Sequence, residues 1–325
     1  MPEGRSKSDC RTARWGVEAP GVRAVLSRRG GRLLAPGHGG RLDIFVESQC
    51  RYYREVPADR KPFHTVVPPA GMVERVTLYR APTTAADTDA VADWLGERVD
   101  AEVAVADRLL GELADDDLAD SFAEARVLSP YDRETGNTMT GIRRYEERTL
   151  KHPERAGGVI YDGLAVQNAL RERLETPLSH LHVPLVDRVV GTWGDHDGRW
   201  HKRVAVLGQP AVVSVPGLYE APAKPEAYYE AKQKHALVSG SAPPREVLEE
   251  EVDGAFLVAD DPRTTEAIAG YALAAYHYLE TGEAFCEEPG CRLYDAHRQP
   301  ALVEAQLRSP AFCERHAARY GSGVE

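Results

Sequence analysis

Lysine is almost absent from this 325-residue chain: seven lysines stand against 33 arginines. Acids outnumber bases 51 to 40, but unevenly, with a net charge of +6 on residues 1–71 and −17 on residues 72–325. An acid-rich, lysine-poor surface suits a protein kept dissolved in a very salty cytoplasm, and it disfavours nucleic acid or an anionic membrane as partner. No run of 18 apolar residues occurs, which excludes a membrane-spanning helix. Five cysteines, three of them in the last forty residues, do not read as a disulfide framework and fit a reducing compartment. There is no G-x-S-x-G, no paired catalytic Cys and His, and no dinucleotide fingerprint. Gly39-Gly40 lacks both a preceding strand and a following Lys-Ser/Thr, so a phosphate loop is excluded too.

What is present is a ligand pattern near the C-terminus. Cys286, Cys291, Cys313 and His316 follow the spacing C-x4-C-x21-C-x2-H. Tetrahedral Zn²⁺ takes four thiolate or imidazole donors at about 2.0–2.3 Å. A Pro289-Gly290 turn lets Cys286 and Cys291 face one centre, and the three-residue spacing of Cys313 and His316 puts both on one face of a helical turn. The competing reading is three small buried hydrophobes and a surface histidine. His297 is the alternative fourth ligand, or a donor to one; His316 ranks first because it lies one turn from Cys313. Residues 283–316 hold few large apolar side chains, and a structural Zn²⁺, which contributes roughly 10–16 kcal/mol of apparent binding in small zinc-dependent peptides, would order them.

The same stretch resembles the archaemetzincins, a metzincin-like family of zinc peptidases. Gly282, Cys286, Cys291 and Cys313 stand where that family's pattern wants them, with Leu293 in its methionine slot and His316 in place of its last cysteine; the gap to Cys313 is two residues longer. The phrases Glu220-Ala-Pro-Ala-Lys-Pro225 and Thr281-Gly-Glu-Ala-Phe-Cys286 also resemble those of archaeal metallopeptidase-related proteins. The resemblance implies an α/β fold, a mixed sheet with flanking helices and a C-terminal zinc knuckle. It also implies a peptidase site that this chain lacks. The HExxH slot falls on Ala275 to Leu279, and the third histidine's slot on Phe285. Ala275 and Leu279 cannot ligate a metal, and Tyr276 is not the carboxylate such a site needs as general base. His277 lies out of phase and reads as a helix-surface or core histidine.

The rest of the chain divides by composition. Residues 1–71, rich in Arg and Gly, read as a disordered extension or as sequence before a mis-set start. Residues 72–259 read as an α/β sheet subdomain, and 260–325 as a helix followed by the zinc-binding segment. Val73–Leu78, a helix over 84–99 and Ala101–Val105 predict a βαβ unit with parallel strands. An acidic helix over 115–125, a strand at 157–161 and a helix over 163–174 follow. Residues 130–155 offer only loop or short helix. Leu185–Trp193 and Arg199–Leu207 predict a hairpin about Asp197-Gly198. Asp195, His196 and Asp197 at its tip read as turn residues rather than metal ligands. His180 and His182, close to Pro184, read as a solvated approach to a strand. A strand at 211–215 precedes a proline-rich crossing, Gly217–Pro225, whose polar candidates along a cleft edge are Glu220, Lys224 and, just beyond, Tyr228. A helix from Glu226 to about Val238 and a 239–244 linker lead to a long helix over 263–281, with Pro262 at its start and Gly282 past its end.

The expectation is therefore a zinc-binding protein with one structural Zn²⁺ that binds a protein or peptide without cleaving it. The alternative is a metal-dependent hydrolase with a non-standard site built around His180, His182, His277 or Glu220. The pattern carries no signal for oligomeric state.

Overall fold

The computed structural model describes residues 72–136, 139–252, 254–309 and 311–321, with the backbone of four short strands between residues 16 and 34. The chain forms two compact units, residues 1–65 and 66–325. In the first, β1 (Gly16–Ala19) pairs antiparallel with β2 (Val22–Val25), and β3 (Ser27–Arg29) with β4 (Arg32–Leu34). The expectation for the remainder of residues 1–71 lies outside the described residues.

The second unit opens with the predicted βαβ unit. In β5 (Arg75–Tyr79) Val76 and Leu78 are fully buried while Arg75 faces solvent, the period-two pattern of a strand with unlike faces. Asp87 caps α1 (Thr88–Gly96), its carboxylate accepting from the Asp89 and Ala90 amides, which satisfies two orphan donors of the first turn. Val91 and Leu95 turn that helix inward, and β6 (Glu102–Ala106) returns parallel to β5, Arg75 opposite Glu102. After the short α2 (Leu109–Glu112), the acidic helix is α3 (Asp116–Glu124), capped by Asp115.

The polar stretch that follows contains a three-turn helix, α4 (Thr140–Lys151), with few apolar residues to announce it. It buries Glu146, Thr149 and Leu150 instead of an apolar stripe. Glu146, fully buried, accepts from Tyr161 Oη at 3.0 Å and from Arg126 Nη1 at 2.8 Å; these partners are distant in sequence, so no local period marks the helix. Next come β7 (Ile160–Asp162), α5 (Gly163–Arg171) and β8 (His180–Val186).

Here two expectations are corrected. His180 and His182 belong to the strand, and β8 lies inside the sheet, parallel to β5 with Thr77 opposite His182. Pro184 sits at the start of the pairing with β12: Ala211 N donates to His182 O at 2.8 Å, but the ladder proper begins only at Leu185 and Val186, because proline has no amide to donate in return. The run predicted as one strand, Leu185–Trp193, is two. It breaks at Asp187-Arg188, a buried ion pair (2.8 Å), and β9 (Val189–Gly194) enters a second sheet. The hairpin stands: β10 (Arg199–Arg203) pairs antiparallel with β9, Trp193 opposite Trp200, and Gly198 takes the positive φ (66°) that the turn requires.

β11 (Ala205–Val206) and β12 (Val212–Ser214) complete the main sheet, of order β11-β12-β8-β5-β6 and parallel except for the edge strand β11. The smaller sheet has the order β10-β9-β7. Helices follow: α6 (Gly217–Glu220), α7 (Glu226–Ser239), α8 (Arg245–Glu251), α9 (Thr264–Thr281), α10 (Gln299–Leu307) and α11 (Glu314–Tyr320). The architecture is mixed α/β, a mixed sheet with flanking helices. One core packs α1 and α9 on Val76, Leu78, Leu181, Val183 and Val213; the other packs α3, α4 and α5 around Tyr79, Val186, Val190 and Val212.

Fourteen of the 18 residues of α9 are buried, the mark of a helix inside a core rather than on its surface. Its small residues allow close approach. A Cβ on Gly270 would lie 1.7 Å from Gln306 Oε1 and 2.9 Å from Arg292 Cγ. Among the described residues no helix is long and apolar enough to cross a membrane.

Candidate metal centre

The C-terminus of α9 sets up the site. Gly282 ends the helix at φ 74° and sends the chain outward. The Cys286 amide then donates to Leu293 O at 2.7 Å, closing a loop whose turn holds Gly290 at φ 80°. The Glu288 amide donates to Cys286 Sγ at 3.3 Å. The second arm is joined by the Arg292 amide donating to Ala311 O at 2.8 Å, and it ends at Cys313, the N-cap of α11. His316, one turn on, is 2% exposed.

These elements bring four donors together. Cys286 Sγ lies 3.8 Å from Cys313 Sγ; His316 Nδ1 lies 3.4 Å from Cys291 Sγ and 3.2 Å from Cys313 Sγ. All four ligand atoms fall within 4.8 Å of one another. A tetrahedron with metal–sulfur bonds of ~2.3 Å and a metal–nitrogen bond of ~2.0 Å has S···S edges of ~3.8 Å and S···N edges of ~3.5 Å. The residues fit the ion. Burial pushes the Cys286 thiol up to about 12. Cys313 is also raised by burial, but its sulfur receives the His316 and Arg315 amides at the helix start and the neighbouring thiols, so it ends below the ordinary thiol value. Burial, then Arg315, lowers His316. A bound cation reverses the effect of burial, because a coordinating thiol is held deprotonated.

Around the donors stands a second ring of polar groups. Arg315 Nη2 lies 3.1 Å from His316 Nε2 and 2.5 Å from Glu283 Oε2. The Glu283 carboxylate lies within 4.8 Å of a His316 ring nitrogen, with the Arg315 guanidinium, a donor only, between them. His277, 3% exposed, packs edge-on against His316 with centroids 5.1 Å apart, and its Nδ1 meets Tyr320 Oη at 2.9 Å. Burial holds it down to about 4, so it is neutral at pH 7. It is a core histidine, not a surface one.

Other residues singled out in the sequence go elsewhere. His297 is largely exposed, 3.6 Å from Asp295, and is not among the clustered donors. Ala275 and Leu279 are buried in the apolar core. His182 is tied to Tyr79 Oη at 2.8 Å and Glu175 O at 3.1 Å, and His180 to Thr77 Oγ1 at 2.8 Å. Lys224 and Tyr228 do not edge a cleft. Lys224 Nζ donates to Glu249 and Leu257 O, and Tyr228 packs with Leu248, Val252 and Phe256. Glu220 stands in the wall of a cavity of about 180 Å³, paired with Lys202 at 2.5 Å. Asp195 lies 3.9 Å from Arg133. At the hairpin tip, His201, which the sequence did not single out, joins His196 and Asp197 in an exposed cluster. Only the β9–β10 register, which lays His201 opposite Thr192, brings it back to the tip.

Fold and site together define a mixed α/β protein with a C-terminal cluster of three cysteines and a histidine suited to a metal ion. Residues 77–319 match DUF7001, a family of unknown function, and the chain belongs to that family. No curated protein matches it. Among solved structures it is similar to the archaemetzincin of Methanopyrus kandleri, at 14% identity and a TM-score of 0.35, over 76% of this chain and 93% of that one; likeness at that level carries no argument about chemistry.

Proposed function

We propose that this is a zinc-dependent binding protein, in which Cys286, Cys291, Cys313 and His316 hold one structural Zn²⁺ and no peptide bond is cut. The observation that carries the reading is the donor set itself. Four protein ligands converge on one point, which fills a tetrahedral zinc and leaves no position for a reactive water; catalytic zinc keeps one position open. The soft thiolate-rich set selects zinc over calcium or magnesium, and reduced thiols fit the cytoplasm. A protein or peptide is the partner in view, with nucleic acid disfavoured by the acidic charge of residues 72–325. Metal analysis of the purified chain tests the reading: one zinc per chain is expected, with no cleavage of a general peptide library. Cleavage lost on chelation and restored by zinc would overturn it. A second reading, a metal-dependent hydrolase, is favoured by one observation: donor atoms of His277, Glu283 and His316 also lie within 4.8 Å of one another. Two metal ions per chain would support it.

A further inference from the structure

The tip of the β9–β10 hairpin gathers three ligand side chains that the proposed function leaves unused. The antiparallel register lays Arg199 opposite Gly194 and His201 opposite Thr192, so Arg199 and His201 share the face on which Gly194 lies. The turn between the strands brings Asp197 over the same face, and Asp197 Oδ1 is where the donors meet. His201 Nε2 lies 2.9 Å from it and His196 Nε2 3.6 Å. The two imidazoles are nearly parallel, 14° between planes and 5.7 Å between centroids. One ligand atom from each of His196, Asp197 and His201 falls within 4.8 Å of the other two.

Independent observations concern the space and the carboxylate. A Cβ on Gly194 would stand 2.5 Å from Asp197 Oδ1 and 2.7 Å from His201 Nε2. Gly194 is not among the glycines of positive φ, so its missing side chain serves the room around these donors and not the turn. Arg199 Nε donates to Asp197 Oδ2 at 2.7 Å, which fixes the carboxylate and leaves Oδ1 to the imidazoles; ligating carboxylates carry such supports. His196 stops short of a hydrogen bond to Asp197, and its side chain is 77% exposed, so an ion in solution has direct access. Asp195 faces Arg133 instead, at 3.9 Å. Charge at the tip balances, Asp195 and Asp197 against Arg133 and Arg199, so the donors and not the net field select the occupant.

We propose that His196, Asp197 and His201 hold an exchangeable divalent transition-metal ion of the zinc, cobalt or nickel class. Bonds of ~2.1 Å, at angles between a right angle and the tetrahedral one, separate donor atoms by ~3.0–3.4 Å, close to the 2.9 and 3.6 Å found here. Imidazole suits these ions, whereas calcium and magnesium take oxygen ligands. The ion replaces the proton that His201 Nε2 donates to Asp197, and that proton moves to Nδ1 of the neutral ring. Three protein ligands leave at least one position for water. At an exposed tip the ion is lost on dialysis, so it does not enter the count of one retained zinc per chain. The site is separate from the cysteine cluster and does not depend on it.

The test is titration calorimetry near neutral pH on the full chain, carrying its retained zinc and dialysed free of loose metal, with Zn²⁺ as the probe. One further Zn²⁺ per chain is expected, with a Kd below roughly 0.1 mM. His196→Ala and His201→Ala should each weaken that binding at least roughly tenfold; the first removes an exposed turn residue and leaves the fold intact. His277→Ala and Cys286→Ser, which take ligands from the other two donor groups, should leave the exchangeable ion in place, so failure of the structural zinc and failure of this site are told apart. No further Zn²⁺ bound, or binding that either His196→Ala or His201→Ala leaves unchanged, overturns the proposal.

Discussion

Cys286 Sγ lies 3.8 Å from Cys313 Sγ although 27 residues separate them in the chain. On the zinc-binding reading proposed above, a metal ion there cross-links the two arms, in addition to the buried Leu293, Ala296 and Leu302 that anchor the segment to the core. Cys286→Ser should release zinc, lower the unfolding free energy by more than about 3 kcal/mol, and make residues 283–321 the first site of limited proteolysis. An unchanged metal content, measured by atomic absorption, would refute this.

The fourth donor can be separated from its rival by two substitutions. His316→Ala should weaken zinc retention against a competing chelator at least roughly tenfold, the scale of a lost metal contact. His297→Ala should leave retention unchanged, since His297 is exposed and beside Asp295. The reverse pattern would move the ligand assignment to His297.

Gly270 sits where α9 meets α10 and Arg292, with no room for a Cβ. Gly270→Val should destabilise the protein by about 1–3 kcal/mol or more through overpacking, even though glycine is the poorer helix former at an open position. Urea unfolding of the two proteins measures the difference, and an unchanged midpoint would show that the contact yields without cost.

Burial, then the neighbouring His180, lowers His182 from 6.5 to about 4. Glu175 O can only accept, so Nε2 carries the ring proton and Nδ1 accepts from Tyr79. The unfolded chain therefore binds a proton here between pH 6.5 and 4 while the folded chain does not, so stability falls as pH drops through that window. At 1.36 kcal/mol per unit the loss approaches ~3 kcal/mol. Asp162, raised by burial to about 6, works in the opposite direction. The comparison is therefore between proteins: His182→Asn, though less stable at pH 7, should lose less stability than wild type between pH 7 and pH 4.5. Parallel pH profiles would sink the assignment.

Local chemistry was legible from the residues. The βαβ unit, the Asp197-Gly198 hairpin, the extent of α9 and its Gly282 stop all follow from period, caps and turn residues, which act over a few positions. The spacing of Cys286, Cys291, Cys313 and His316 picked out four side chains whose ligand atoms come within 4.8 Å of one another, since a turn and a helix N-terminus place each pair. Tertiary structure alone decided what depends on distant partners. Helix α4 buries a carboxylate that Arg126 and Tyr161 stabilise, so it shows no apolar stripe. β8 breaks at Asp187-Arg188 because the chain changes sheets there, although every residue from Leu185 to Val190 except that pair is apolar. The buried guanidinium left at that break, in the wall of a cavity, is set by the meeting of β5, β8, β12 and α9, and no short-range pattern encodes such a meeting.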